Sequence, residues 1–211
     1  MRDKIDILRE NIPYDILRLG LACNANCLFC NVPPESYPAK EMSTQEAKRE
    51  ITHLISLNKQ TRLDITGGEP TVRKDLIELI KYASKKGVKI IQVQTNGILL
   101  SNKSYVKDLK ATGLNKVFIG LHSSIHKIHD YLIGLNGAFK KCIKGIKNSV
   151  ESDIEVILNP VITLKNYKEL PNYIKFIKEN FSQIRSISLS VVQPRGRAWK
   201  NRYLIPRYKR G

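Results

Sequence analysis

Six short stretches of the chain, at about residues 16–22, 61–66, 88–94, 116–122, 153–162 and 186–192, are β-branched or alternate apolar with polar residues, the signature of strands. Between them the apolar period lengthens to three and four, as in helices. The first helix opens on Ser43-Thr44-Gln45-Glu46, a capping box in which Ser43 bonds the amide of Glu46 and Glu46 reaches back. Ala47, Ile51, Leu54 and Ile55 then fall on one face, and His53 lies off that stripe. A second helix starts near Asp75, turns Leu76, Ile77, Leu79, Ile80 and Ala83 inward, and stops at Gly87. A third, shorter one ends near Gly113. The fourth carries Phe139, Cys142, Ile143, Ile146 and Val150, and the fifth begins at Pro171 with Ile174, Ile177 and Phe181 inward.

A β/α unit repeated about six times predicts an α/β fold with a parallel sheet, either doubly wound or closed toward a barrel. In both, functional residues collect at the C-terminal ends of the strands. The unusual segments sit there: Cys23, Cys27 and Cys30 after the first strand, TGGEPT (66–71) after the second and QTNG (94–97) after the third. HSS (122–124), NPVIT (159–163) and VQPRGRA (192–198) follow at the later strands.

Composition narrows the reading further. The 211 residues suit one domain with an ample core, the charged N-terminus is unlike a signal peptide, and no apolar run approaches the roughly 20 residues that span a bilayer. We therefore expect a cytoplasmic protein without a membrane partner. A formal charge of +17 favours polyanions, but most lysines fall on solvent faces of helices, as in IKYASKKG. The end of the chain, GRAWKNRYLIPRYKRG, interleaves basic residues with Trp199, Tyr203 and Tyr208, a composition able to grip nucleic acid.

Three cysteines crowded together with a distant fourth make poor disulfide partners, so metal or cluster ligation is the better reading. A structural zinc site closes with four ligands, whereas three thiolates leave a position open for a substrate or cofactor. The alternative is a Cys3His zinc knuckle completed by His53, His122, His126 or His129. Cys142 belongs to an apolar helical stripe and reads as a core residue.

The C-x-x-x-C-x-x-C spacing with Phe29 before the last cysteine resembles the signature of the radical S-adenosylmethionine (radical SAM) superfamily, and Gly67-Gly68-Glu69-Pro70 resembles its GGEP segment. The resemblance covers nearly the whole chain and implies a partial (β/α)6 TIM-like barrel. It implies that Cys23, Cys27 and Cys30 hold three irons of a 4Fe-4S cluster whose fourth iron binds S-adenosylmethionine. It further implies Phe29 and Val192 beside the adenine, Gly67, Gly68 and Glu69 with Pro70 at the methionine amino group, and Ser123 at the carboxylate or ribose, with Asn96 and Asn159 as neighbours. A flavodoxin or ferredoxin is the implied electron donor. The histidines of HSSIHKIHD read as structural or substrate-facing, spanning a loop into a helix.

The resemblance names the radical generator and leaves the substrate open. QPRGRA and the H-D-x-x-x-G pattern (His129, Asp130, Gly134) lean toward members that act on peptides or build cofactors. LRLGLACNANCLFC and TGGEPTVRKDL also resemble the molybdenum-cofactor enzyme that rearranges GTP, whose second cysteine cluster has no counterpart in this sequence. We expect a core over residues 1–198 and a basic tail, 199–211, that reads as an interrupted connection to a C-terminal region. Arg195 and Arg197 are expected at the rim of the site. The competing readings are an RNA-modifying radical enzyme and a non-catalytic iron-sulfur or zinc protein on the same scaffold.

Overall fold

The structure is a computed structural model that describes residues 15–36, 40–58 and 62–206, so Tyr208 and the end of the basic tail lie outside the described residues. Among the described residues eight strands form: β1 (Asp15–Arg18), β2 (Arg62–Thr66), β3 (Ile90–Thr95), β4 (Lys116–Ile119), β5 (Glu155–Leu158), β6 (Val161–Ile162), β7 (Ser186–Ile187) and β8 (Ser190–Val191). The helices are α1 (Thr44–Asn58), α2 (Leu76–Lys85), α3 (Lys103–Ala111), α4 (His126–Ile133), α5 (Ala138–Glu151), α6 (Leu170–Asn180) and α7 (Arg197–Lys200).

The main sheet runs β1-β2-β3-β4-β5-β7 with every pair parallel. That sequential order decides between the two sheet architectures. A doubly wound sheet reverses its order at a switch point, whereas unbroken order carries all the helices onto one face and curls the sheet toward a barrel. Leu17, Ile65, Ile91, Val93, Val117, Ile119 and Leu158 accordingly share one buried core with Ala47, Ile51, Leu79, Ile80, Ile146 and Ile177 of the helices. The opposite face, with Ile16, Arg18, Thr66, Gln94 and Phe118, lines a cleft instead. With β1 and β7 at the two ends of the order, the barrel is partial.

The fifth and sixth strands, each expected as one run, are each broken in two. Pro160 has no N–H for the ladder, so the chain leaves the main sheet at Asn159, and Val161–Ile162 pairs with Ser190–Val191 in a two-stranded sheet. Asn159 pins the break, donating from Nδ2 to Ser188 O at 2.6 Å and Ser190 Oγ at 2.8 Å. The capping box forms as expected, Glu46 N donating to Ser43 Oγ at 3.2 Å and Ser43 N to Glu46 Oε2 at 2.7 Å. Residues 199–204 stay on the body: Leu204 is fully buried, its carbonyl accepts from Leu164 N at 2.8 Å, and Tyr203 shares a 2.9 Å hydrogen bond with Tyr131.

Candidate active site

After β1 the chain continues extended, Leu19 N donating to Thr66 O at 3.0 Å. Beyond it the GGEP segment lies directly against residues 20–22: Gly68 N donates to Gly20 O at 2.9 Å and Glu69 N to Ala22 O at 2.8 Å. A Cβ on Gly68 would stand 2.3 Å from Leu21 O and 2.4 Å from Ala22 O, so only glycine fits. The close approach these glycines permit is to the cysteine loop, a contact the sequence reading had placed at the cofactor. Glu41 completes the hold, its Oε1 accepting from Leu21 N at 2.6 Å and Ala22 N at 2.8 Å.

The far part of the loop is fixed by two further elements. The last carbonyls of α4 lack intrahelical donors, and Asn26 N and Leu28 N supply them, to Ile133 O at 3.0 Å and Leu132 O at 2.9 Å. Arg197 N donates to Cys30 O at 2.8 Å, Asn201 Nδ2 to Leu28 O at 3.0 Å, and the Arg197 guanidinium grips Glu35 through Nε at 2.6 Å and Nη2 at 2.8 Å. That bidentate pair holds the Glu35 carboxyl down at about 2. The His-Asp-x-x-x-Gly pattern serves this frame. Gly134 ends α4 in the left-handed conformation (φ 67°), and Asp130 accepts from Gly137 N and Phe139 N, both at 2.7 Å, capping α5.

Cys23, Cys27 and Cys30 line a cleft of about 390 Å³ at the C-terminal ends of the strands, with Phe29, Gly67, Gly68, Glu69, Asn96 and Asn159. Pro70, Ser123 and Val192 are not brought to it. Pro70 is buried at the start of a 3-10 turn, where its fixed φ suits the first position. Ser123 is fully buried, donating to Glu169 Oε2 at 2.9 Å and accepting from Ile125 N at 2.9 Å, because Glu169 accepts from both Ser123 and Ser124. Val192 is buried, with its N–H on Ile162 O at 3.0 Å.

Glu69 is a junction. Its Oε1 accepts from Thr71 N at 3.1 Å, Thr71 Oγ1 at 2.5 Å and Thr95 Oγ1 at 2.7 Å, and its Oε2 from Asn96 N at 2.6 Å. Burial pushes this carboxyl up while those four donors hold it back. Asn96 passes the connection on, Nδ2 donating to Asn24 Oδ1 at 2.7 Å beside the first cysteine.

His122 lines the same cleft. Its Nδ1 accepts from Val161 N at 3.1 Å and burial keeps the ring neutral, so Nε2 carries the proton. The ring meets Phe29 edge-on at 4.7 Å and stacks on His129 at 5.6 Å. His129 Nδ1 accepts from His122 N at 3.2 Å, which makes this histidine structural. Glu41 and Glu169 escaped the sequence reading, and Thr95 entered it only as part of QTNG. Each acts through contacts across 19 or more residues, which no local motif announces.

Residues 17–177 match the model of the Radical SAM superfamily. The chain belongs to this superfamily. Within it, the chain is 34% identical over 191 residues to a probable GTP 3',8-cyclase of Sulfurisphaera tokodaii, covering 89% of this chain and 59% of that protein. It is 31% identical over 162 residues to an AdoMet-dependent heme synthase of Methanosarcina barkeri, covering 76% of this chain and 46% of that protein. The radical SAM chain thus spans about half the length of these curated relatives. Its fold matches the crystal structure of Streptococcus suis SuiB bound to S-adenosylmethionine with a TM-score of 0.69 and 22% identity, over 85% of this chain and 39% of that one.

Radical SAM enzymes work with a 4Fe-4S cluster and S-adenosylmethionine, and the donor set here fits such a cluster. Among the described residues no three His, Cys, Asp or Glu are placed to hold a single ion. A cubane asks for something else, since each thiolate then meets its own iron. Burial raises all three thiols, Cys27 to about 12, and the positive charge of bound metal would offset that rise. Cys142 cannot join them: it is fully buried in α5 beside Gly97. Among the other candidate ligands, His122 and His129 have their Nδ1 atoms engaged, and His53 and His126 stand exposed on α1 and α4.

Proposed function

We propose that this chain is the radical-generating core of an enzyme acting on a cofactor precursor, with Cys23, Cys27 and Cys30 as cluster ligands. Bound there, a 4Fe-4S cluster with S-adenosylmethionine would supply one-electron reductive cleavage of the sulfonium, the electron coming from an external reductant, and with it the radical chemistry that takes hydrogen from a substrate. The carrying observation is that the three thiols and the GGE segment line one cleft, the GGE segment being hydrogen-bonded to Gly20 and Ala22 at the start of the cysteine loop. Gly67, Gly68 and Glu69 would face the methionine end, where Oε2 of Glu69, with a single donor among the described residues, keeps capacity for an ammonium. Phe29, Asn96 and Asn159 would border the nucleoside, and His122 would offer its Nε2–H in place of the buried Ser123. The choice of a cofactor precursor over a peptide rests on the relatives named for haem and GTP chemistry.

The reading places the protein in the cytoplasm, where thiols stay reduced, with a flavodoxin or ferredoxin as reductant. Among the described residues no helix is long and apolar enough to cross a membrane. Anaerobic reconstitution followed by reduction tests the proposal. We expect about four irons per chain and release of 5'-deoxyadenosine. Alanine at Cys23, Cys27 or Cys30 should abolish both, and Cys142→Ala should retain the cluster. An intact, reduced cluster that yields no 5'-deoxyadenosine would refute it.

A further inference from the structure

The strand register sorts the inner face of the partial barrel into two tiers. Ile16, Asp64, Gln92, Lys116 and Glu155 are successive partners in the lower one. Arg18 pairs with Thr66, and Gln94 with Phe118, in the upper one, which the Thr66 Oγ1 hydrogen bond to Gln94 Oε1 at 3.2 Å closes into a row. These four upper residues line the cleft that holds the cysteines. A closed barrel fills this space with branched aliphatic side chains. Here the filling is polar and open.

The charges of the two tiers are not balanced alike. In the lower tier Asp64 is met by Arg62 Nε at 3.0 Å and by Gln92 Nε2 at 2.8 Å, and Lys116 by Glu155 at 3.2 Å. At the rim Arg197 is matched by Glu35. Arg18 is exposed in the cleft and has no hydrogen-bond or ion-pair partner among the described residues. Two strands along the same row, beyond Thr66, Gln94 spends its carbonyl on Thr66, which turns its NH2 into a donor with no partner among the described residues. A guanidinium and an amide donor on one wall, with Phe118 as an apolar neighbour, form a receptor for an oxyanion on a compact organic body.

We infer that Arg18 and Gln94 anchor the substrate by a carboxylate or phosphate group, so the substrate is a small anionic molecule held in the lumen beneath the cysteine loop. This rests on the radical reading for the word substrate, but the anion site itself does not. Calorimetric titration of the reconstituted protein with inorganic phosphate and, separately, with succinate tests it, and the two probes separate a phosphate site from a carboxylate site. With S-adenosylmethionine saturating, we expect one probe to bind at one site per chain. Arg18→Gln should weaken it at least tenfold with iron content and thermal midpoint unchanged, and Arg18→Lys should restore part of the loss. Equal binding by Arg18→Gln, no binding of either probe at unit stoichiometry, or loss of the site when S-adenosylmethionine is added would overturn the inference. Protein that binds the probe through Arg18 yet releases no 5'-deoxyadenosine would sink the radical reading and leave the anion site standing.

Discussion

At the scale of single residues, Glu69 combines two tasks that a motif cannot separate. Its carboxylate receives Thr71, Thr95 and Asn96 while presenting an edge to the cleft. Glu69→Gln replaces one acceptor by an NH2 among donors, and we expect about 1–3 kcal/mol of lost stability in urea melts together with weaker S-adenosylmethionine binding. Weaker binding without any loss of stability would mean that the junction is not structural. His129 carries a second prediction. Burial depresses its pKa from 6.5 to about 4, so between those values the unfolded chain holds a proton that the folded one lacks. Stability is therefore full above that window and falls as pH drops through it, by about 3 kcal/mol for the whole shift. His122, shifted in the same direction, adds to the slope. Urea midpoints of the apoprotein across the window should show it, and His129→Asn should flatten it.

At the scale of elements, α4 acts as a clamp on the cysteine loop through its C-terminal carbonyls and Gly134. A Cβ at Gly134 would stand 2.5 Å from Asn26 O, in a backbone conformation (φ 67°) that side chains resist. Gly134→Ala should cost about 1–2 kcal/mol and also lower the iron retained after reconstitution, because the loop must shift to clear the methyl. Gly87 gives the comparison: its φ is 95° but nothing lies within 4 Å of the added Cβ. Gly87→Ala should therefore destabilise through backbone strain alone and keep its full iron. Equal iron in both variants would show that α4 does not position the ligands.

At the scale of the whole molecule, the segment after β8 folds back over the site. Asn201 holds Leu28 O, Leu204 is buried, and Arg202 lies 4.0 Å over the Trp199 ring. From sequence, residues 199–211 read as an interrupted connection, so truncation after Ala198 puts that reading to the test. It removes a core side chain and a hydrogen bond to the cysteine loop, so we expect lower iron content and a lower melting temperature, measured by iron assay and thermal denaturation. Full iron in the truncated protein would restore the view of this segment as an appendage. The charge of +17 also contributes at this scale, because a cationic surface attracts anionic small molecules and polyanions alike.

The sequence by itself determined the β/α order, the helix faces and the cysteine spacing, because hydrophobic period, caps and motif spacing are local properties of the chain. Ser43 and Glu46 met as their types dictate, Cys142 fell in the core with the rest of its stripe, and the two signature segments arrived at one cleft. Only the tertiary structure decided what those segments touch. Ser123 turned to Glu169, 46 residues away, Gly67 and Gly68 turned to the cysteine loop, and Arg197 turned to Glu35 across 162 residues. Strand order, set by packing of the whole sheet, turned Arg18 into the lumen without a partner among the described residues, a direction that the alternation of β1 alone does not decide. A hydrogen bond between distant residues leaves no period in the sequence, and the direction of a side chain on a sheet means little until the sheet has curled.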